Sequence, residues 1–116
     1  LDLEDHETKA VQAAIDIQEG IAELNKTLTT PVQVGVGCQS GYAVIGNMGS
    51  DTRFDYSAIG DAVNTAARLE SATKEVGEDI LIGHKTAKNC KLVLKLLKPI
   101  SVKGKKDKLE IWTVNE

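Results

Sequence analysis

Only two cysteines occur among the 116 residues, Cys38 and Cys90, and they form no disulfide framework and match no metal-ligand spacing. Both read as reduced thiols in or near a core. The two histidines, His6 and His84, are too few and too isolated for a metal centre. The sequence also lacks a signal peptide, a membrane-crossing run, a low-complexity tract and an internal repeat. A cytoplasmic location with no membrane contact from this segment is the expectation. Positive charge is not in excess: the net charge of -3 argues against general nucleic-acid binding. What is present, 41% hydrophobic and 27% charged residues, suits one soluble globular unit with a modest core. The charge is uneven, because Cys90 to Glu116 holds seven lysines against three acids while the rest of the chain is acidic. Such an edge hints at anion binding, while a solvated Lys-rich hairpin is the better explanation when taken alone.

Along the chain, Ala10, Ala14, Ile17, Ile21, Leu24 and Leu28 recur at spacings of four and three, with Val11 and Ile15 widening the stripe. The spacing predicts a helix from about His6 to Leu28, with Asp5 as a candidate N-cap and Pro31 forbidding continuation. Val32 to Cys38 and Tyr42 to Met48 alternate as strands, joined by a turn at Gln39, Ser40 and Gly41. Gly35, Gly37 and Gly41 are spaced GxGxxxG and are followed by a strand, so they fail the dinucleotide fingerprint. Close backbone packing and turns account for them better. A polar loop or arm over Gly49 to Arg53 leads to a short segment from Phe54 to Ile59 and a hinge at Gly60. A second helix, with Asp61 as candidate cap, runs to about Val76 and stops at Gly77. A short buried strand at Ile80 to Ile82, a helical turn near Lys85 to Asn89, and strands at Leu92 to Leu97 and Leu109 to Val114 complete an α+β pattern with an antiparallel sheet.

The second helix carries the chemistry. Asn64 and Arg68 stand four residues apart, so their side chains project together, beside an apolar stripe of Val63, Ala66, Ala67 and Leu69. Arginine offers a planar fork of donors for phosphate oxygens, and asparagine a donor and an acceptor for a sugar. The plainer reading is that Asn64, Arg68, Ser71 and Glu75 form a solvated face.

The longer string Asp55 to Glu70, DYSAIGDAVNTAARLE, together with GNMGS at Gly46 to Ser50, resembles the signature of class III adenylyl and guanylyl cyclases. The likeness extends from the first helix through GVGCQSGYAVIGNMGS to ISVKGKKDKLEIW. It implies a ferredoxin-like α+β fold, an antiparallel sheet with helices on one face. Residues 1–116 would be a single partial catalytic domain whose N-terminal strands are missing. It implies that two such domains meet head to tail, as a homodimer here, with ATP, or less readily GTP, bound between them. Ring closure of the ribose 3'-hydroxyl onto the α-phosphate would expel pyrophosphate.

By that resemblance Asn64 orients the ribose and Arg68 stabilises charge on the phosphates. Ser57, with the backbone of Ala58 and Ile59, meets the purine edge. Lys103 meets the outer phosphates, with Lys105 as a lesser substitute. The hydroxyl of Ser57 resembles the threonine of adenylyl cyclases, while its size resembles the cysteine of guanylyl cyclases; AIGDAVNTAARLE favours ATP. The family's Mg²⁺ or Mn²⁺ ions are held by two aspartates in a preceding segment that Leu1 to Glu4 does not replace. Asp55 reads as a strand-edge residue and Asp61 as a cap. The chain by itself is therefore expected to be inactive, and its unpaired sheet to drive dimerisation. The alternative is a non-catalytic, cyclase-like nucleotide-binding or dimerisation module. Tyr42 departs from the small or acidic residue usual in the family, with no functional account.

Overall fold

The computed structural model describes residues 6–40, 42–47, 61–101 and 108–115. Helix α1 spans His6–Asn25 and is followed by strands β1 (Val34–Gln39) and β2 (Tyr42–Asn47). Then come α2 (Asp61–Val76), β3 (Ile80–Gly83), α3 (His84–Ala87), β4 (Leu94–Leu96) and β5 (Ile111–Val114). The α1 helix stops three residues short of the Leu28 that periodicity suggests. Asn25 is the cause: its Nδ2 donates to the Val32 carbonyl at 2.9 Å and its Oδ1 accepts from the Val32 N–H at 2.8 Å. One amide thus brackets the reversal that Pro31 would in any case have forced.

The strands form one sheet in the order β2-β1-β3-β5-β4. Hairpin β1/β2 is antiparallel, with Val36 opposite Ile45, and turns through Ser40 at φ 50°. The α+β class stands, while the expected antiparallel sheet with helices on one face is corrected twice. First, β1 and β3 are parallel, Val36 pairing with Ile80 and Cys38 with Ile82. Helix α2 lies across β1 with Ala66, Leu69 and Glu70 over Gly37 and Thr73 over Gly35, so it runs antiparallel to β1. The reversal at Gly77, whose φ of +83° only glycine adopts without strain, then sends β3 back in the direction of β1.

Second, the helices cover both faces. Adjacent strand residues point to opposite sides, and Gly37 faces α2 while the Cys38 sulfur lies 4.0 Å from the Ala10 carbonyl of α1. Two cores result. Val11 and Ala14 pack with Val36, Cys38, Ile80 and Ile82 on the α1 side; Leu69, Leu81 and Ile111 form the other. Only the first half of the α1 stripe is buried, for Ala10, Val11 and Ala14 are covered whereas Leu24 is 48% exposed.

Gly20, in the middle of α1, has open space where a Cβ would be. Alanine there is expected to stabilise the protein by about 0.5–1 kcal/mol. In thermal melts this is a rise of roughly 2–5 °C.

Cys38 is fully buried, and burial first, then the neighbouring Cys90, pushes its thiol from 9.0 to about 12. An unfolded thiol ionises near 9.0, so above that pH the unfolded state binds fewer protons than the folded one. The contribution of Cys38 is whole below pH 9.0 and is lost as pH rises toward 12. Stability measured by denaturant melts should fall across this window with a steeper slope than in Cys38→Ala. With a disulfide thiol reagent near neutral pH, half-buried Cys90 should react first and Cys38 only on unfolding.

Candidate functional site

Helix α2 is held to the hairpin by the absence of side chains beneath it. A Cβ on Gly37 would strike the Ala66 carbonyl, the Glu70 N–H and the Leu69 side chain, one on Gly35 would strike Thr73, and one on Gly46 would meet the Glu70 carboxylate at 2.5 Å. The strands therefore offer the helix a floor of bare backbone. Periodicity hinted at close packing for Gly35 and Gly37; the part played by Gly46 and Glu70 had no signal in the sequence, because it depends on cross-strand register.

With Ala66, Leu69, Glu70 and Thr73 turned to the sheet, the 100° step of the helix puts Asn64, Arg68, Ser71 and Glu75 on the outer side. That row is not uniform. Ser71 and Glu75 are exposed, as a solvated face requires, while Asn64 and Arg68 are half-buried and the Arg68 Nε atom is fully buried. The two residues of chemical interest are thus brought together on one helix face in a partly desolvated setting, where a guanidinium interacts more strongly with an anion than it does in water.

Ser57, Ala58, Ile59, Lys103 and Lys105 lie outside the described residues, as do Asp55, Gly60 and the loop from Gly49. Asp61 is the first residue of α2. Tyr42 opens β2, opposite Gln39, and is 54% exposed. Among the described residues no three His, Cys, Asp or Glu side chains converge on a point where a cation could sit.

Other polar groups serve the fold. Gln18 Nε2 donates to the Val34 and Asp79 carbonyls at 2.7 and 3.1 Å, and Thr113 Oγ1 donates to Ile80 O at 2.7 Å. A groove of about 460 Å³ beside α1, lined by Ile15, Gln18, Ile21, Asn25, Val34 and Asp79, is on the side of the sheet away from α2. It is separate from the Asn64/Arg68 row.

The family model described as the adenylate and guanylate cyclase catalytic domain matches residues 2–116. The chain belongs to this family. Among relatives of the cyclase domain, an adenylate cyclase of Anabaena cylindrica is 36% identical over 118 residues, covering 90% of this chain and 24% of that protein. Adenylate cyclase 1 of Rhizobium meliloti is 30% identical over 115 residues, covering 94% and 17%. An adenylate cyclase of Mycobacterium tuberculosis is 38% identical over 103 residues, covering 87% and 23%. The chain thus spans less than a quarter of the length of these relatives. A solved bacterial light-regulated adenylyl cyclase superimposes with a TM-score of 0.61 at 21% identity, over 97% of this chain and 34% of that one. At that identity the likeness establishes the fold of the cyclase domain and nothing finer.

Proposed function

We propose that residues 1–116 form part of one catalytic domain of an adenylyl cyclase, converting ATP in preference to GTP into the 3',5'-cyclic monophosphate and pyrophosphate for cyclic-nucleotide signalling. The observation that carries this reading is the pairing, within a chain matched by the cyclase family over residues 2–116, of half-buried Asn64 and Arg68 on the outer side of α2. Arg68 is assigned the phosphates, where its fork spreads over oxygens that gain charge as the leaving group departs; Asn64 is assigned the ribose. Ser57 with the Ala58 and Ile59 backbone is assigned the base edge, and Lys103 the outer phosphates. Ring closure forms the bond from the 3'-oxygen to the α-phosphorus, with the 3'-hydroxyl proton released to water, and breaks the bond from that phosphorus to the bridging oxygen, which leaves on pyrophosphate. Positioning and fixed positive charge carry most of such a transfer. The family's chemistry also calls on Mg²⁺ or Mn²⁺, which would activate the 3'-hydroxyl and offset charge on the phosphates. A second copy of the domain, in a homodimer, would supply the other wall of the nucleotide site.

The 116-residue chain alone is expected to release no cyclic nucleotide from ATP with Mn²⁺, while the whole gene product does. Robust turnover by the chain alone would overturn its assignment as a partial domain. Nucleotide binding by a folded whole protein without any turnover would favour the non-catalytic module instead.

A further inference from the structure

Residues 84–101 hold five lysines, Lys85, Lys88, Lys91, Lys95 and Lys98, and no aspartate or glutamate, in a chain of net charge -3. All five are exposed. They follow α3, the turn after it and β4, which is the last strand at one side of the sheet among the described residues. On the same edge stand the two most exposed large apolar side chains of the described residues, Val93 at 69% and Leu96 at 56%. Leu96 is in register with half-buried Trp112, whose indole N–H donates to Glu110 Oε1 at 3.1 Å. That same oxygen is 3.1 Å from His84 Nδ1, so the Glu110 carboxylate is engaged by its neighbours.

Lysines on an edge strand by themselves do no more than discourage pairing with other strands. Apolar side chains left bare beside them serve no such purpose. Their combination suits a charged interface with an apolar interior: Val93 and Leu96 can sink below headgroup level while the ammonium groups stay among phosphates, with an amphipathic tryptophan nearby. Strand alternation puts Val93 and Lys95 on one side of β4 and Leu96 on the other, so an edge-on approach brings all three to the same plane. An acidic polypeptide added as a further strand is the weaker fit, because β4 is three residues long and Pro99 soon follows.

We propose that the β4 edge docks this domain on the surface of a bilayer rich in anionic phospholipid. No helix among the described residues is long and apolar enough to cross a membrane, which bears on spanning and not on adhesion to a surface.

The test is sedimentation of the 116-residue chain with vesicles of phosphatidylcholine alone and of phosphatidylcholine mixed with phosphatidylserine. Binding is expected to the mixed vesicles only, and to weaken as salt is raised. Lys95→Gln with Lys98→Gln should lower the partition roughly thirtyfold. Leu96→Ser should lower it with the helical circular dichroism retained, and Lys74→Gln, on α2 and outside the β4 edge, should leave it unchanged. Equal binding to both vesicle types, or none to either, would overturn the proposal. So would self-association in the absence of lipid that Leu96→Ser abolishes, since that would give the edge to a second copy of the chain.

Discussion

Alanine at Gly37 is expected to cost about 3 kcal/mol or more, the largest stability loss of an alanine at any of the described glycines. The added Cβ meets the Ala66 carbonyl and the Glu70 N–H, which are parts of a helix backbone that can yield only by moving the whole of α2. Against a total stability of about 5–15 kcal/mol, that is a large share. Thermal melts should show a fall of roughly 10 °C or more, in contrast to the rise expected for Gly20→Ala. Gly46→Ala provides the internal comparison. Its new methyl meets the end of the Glu70 side chain, which can swing aside, so the loss should be smaller and should shrink further when combined with Glu70→Ala. Equal losses at Gly37 and Gly46 would contradict a helix seated on bare backbone.

The second large effect is on turnover. Arg68→Ala in the whole gene product is expected to lower kcat by about 10²–10³, the typical result of removing one preorganised donor to developing charge. Arg68→Lys should recover only part of the loss, for it restores the charge and not the planar fork. Asn64→Ala is expected to fall in the same range, through a misplaced ribose hydroxyl. The Arg68 Nε is buried, so truncation also removes packing, and melts must accompany the kinetics. A structural role alone would lower the melting temperature and leave kcat per folded molecule unchanged. The roles assigned here predict a fall in kcat per folded molecule whatever the change in melting temperature.

The sequence carried most of the elements because each had a local cause. The three-and-four spacing of α1, the alternation of VQVGVGC and the stop at Gly77 are read within a few residues of themselves. The Asn64/Arg68 pair was legible for the same reason, being a matter of helical spacing. What was not legible depends on how distant segments meet. The parallel pairing of β1 with β3 follows from the direction in which α2 crosses the hairpin, and no residue of either strand encodes that direction. The division of helices between two faces follows from it as well: Gly37 and Cys38, adjacent in the chain, touch α2 and α1 respectively. The end of α1 was overrun because Leu28 continues the apolar stripe, while the closing clamp of Asn25 on Val32 joins residues seven apart. Likewise, residue type did not separate half-buried Asn64 and Arg68 from exposed Ser71 and Glu75; burial did.

The most direct test of the central claim is to incubate the whole gene product with ATP or with GTP in Mn²⁺ and identify the products chromatographically. Cyclic AMP with matching pyrophosphate, less cyclic GMP, and loss of both products in Arg68→Ala are expected. A folded, dimeric, metal-supplied protein that yields neither cyclic nucleotide would contradict it.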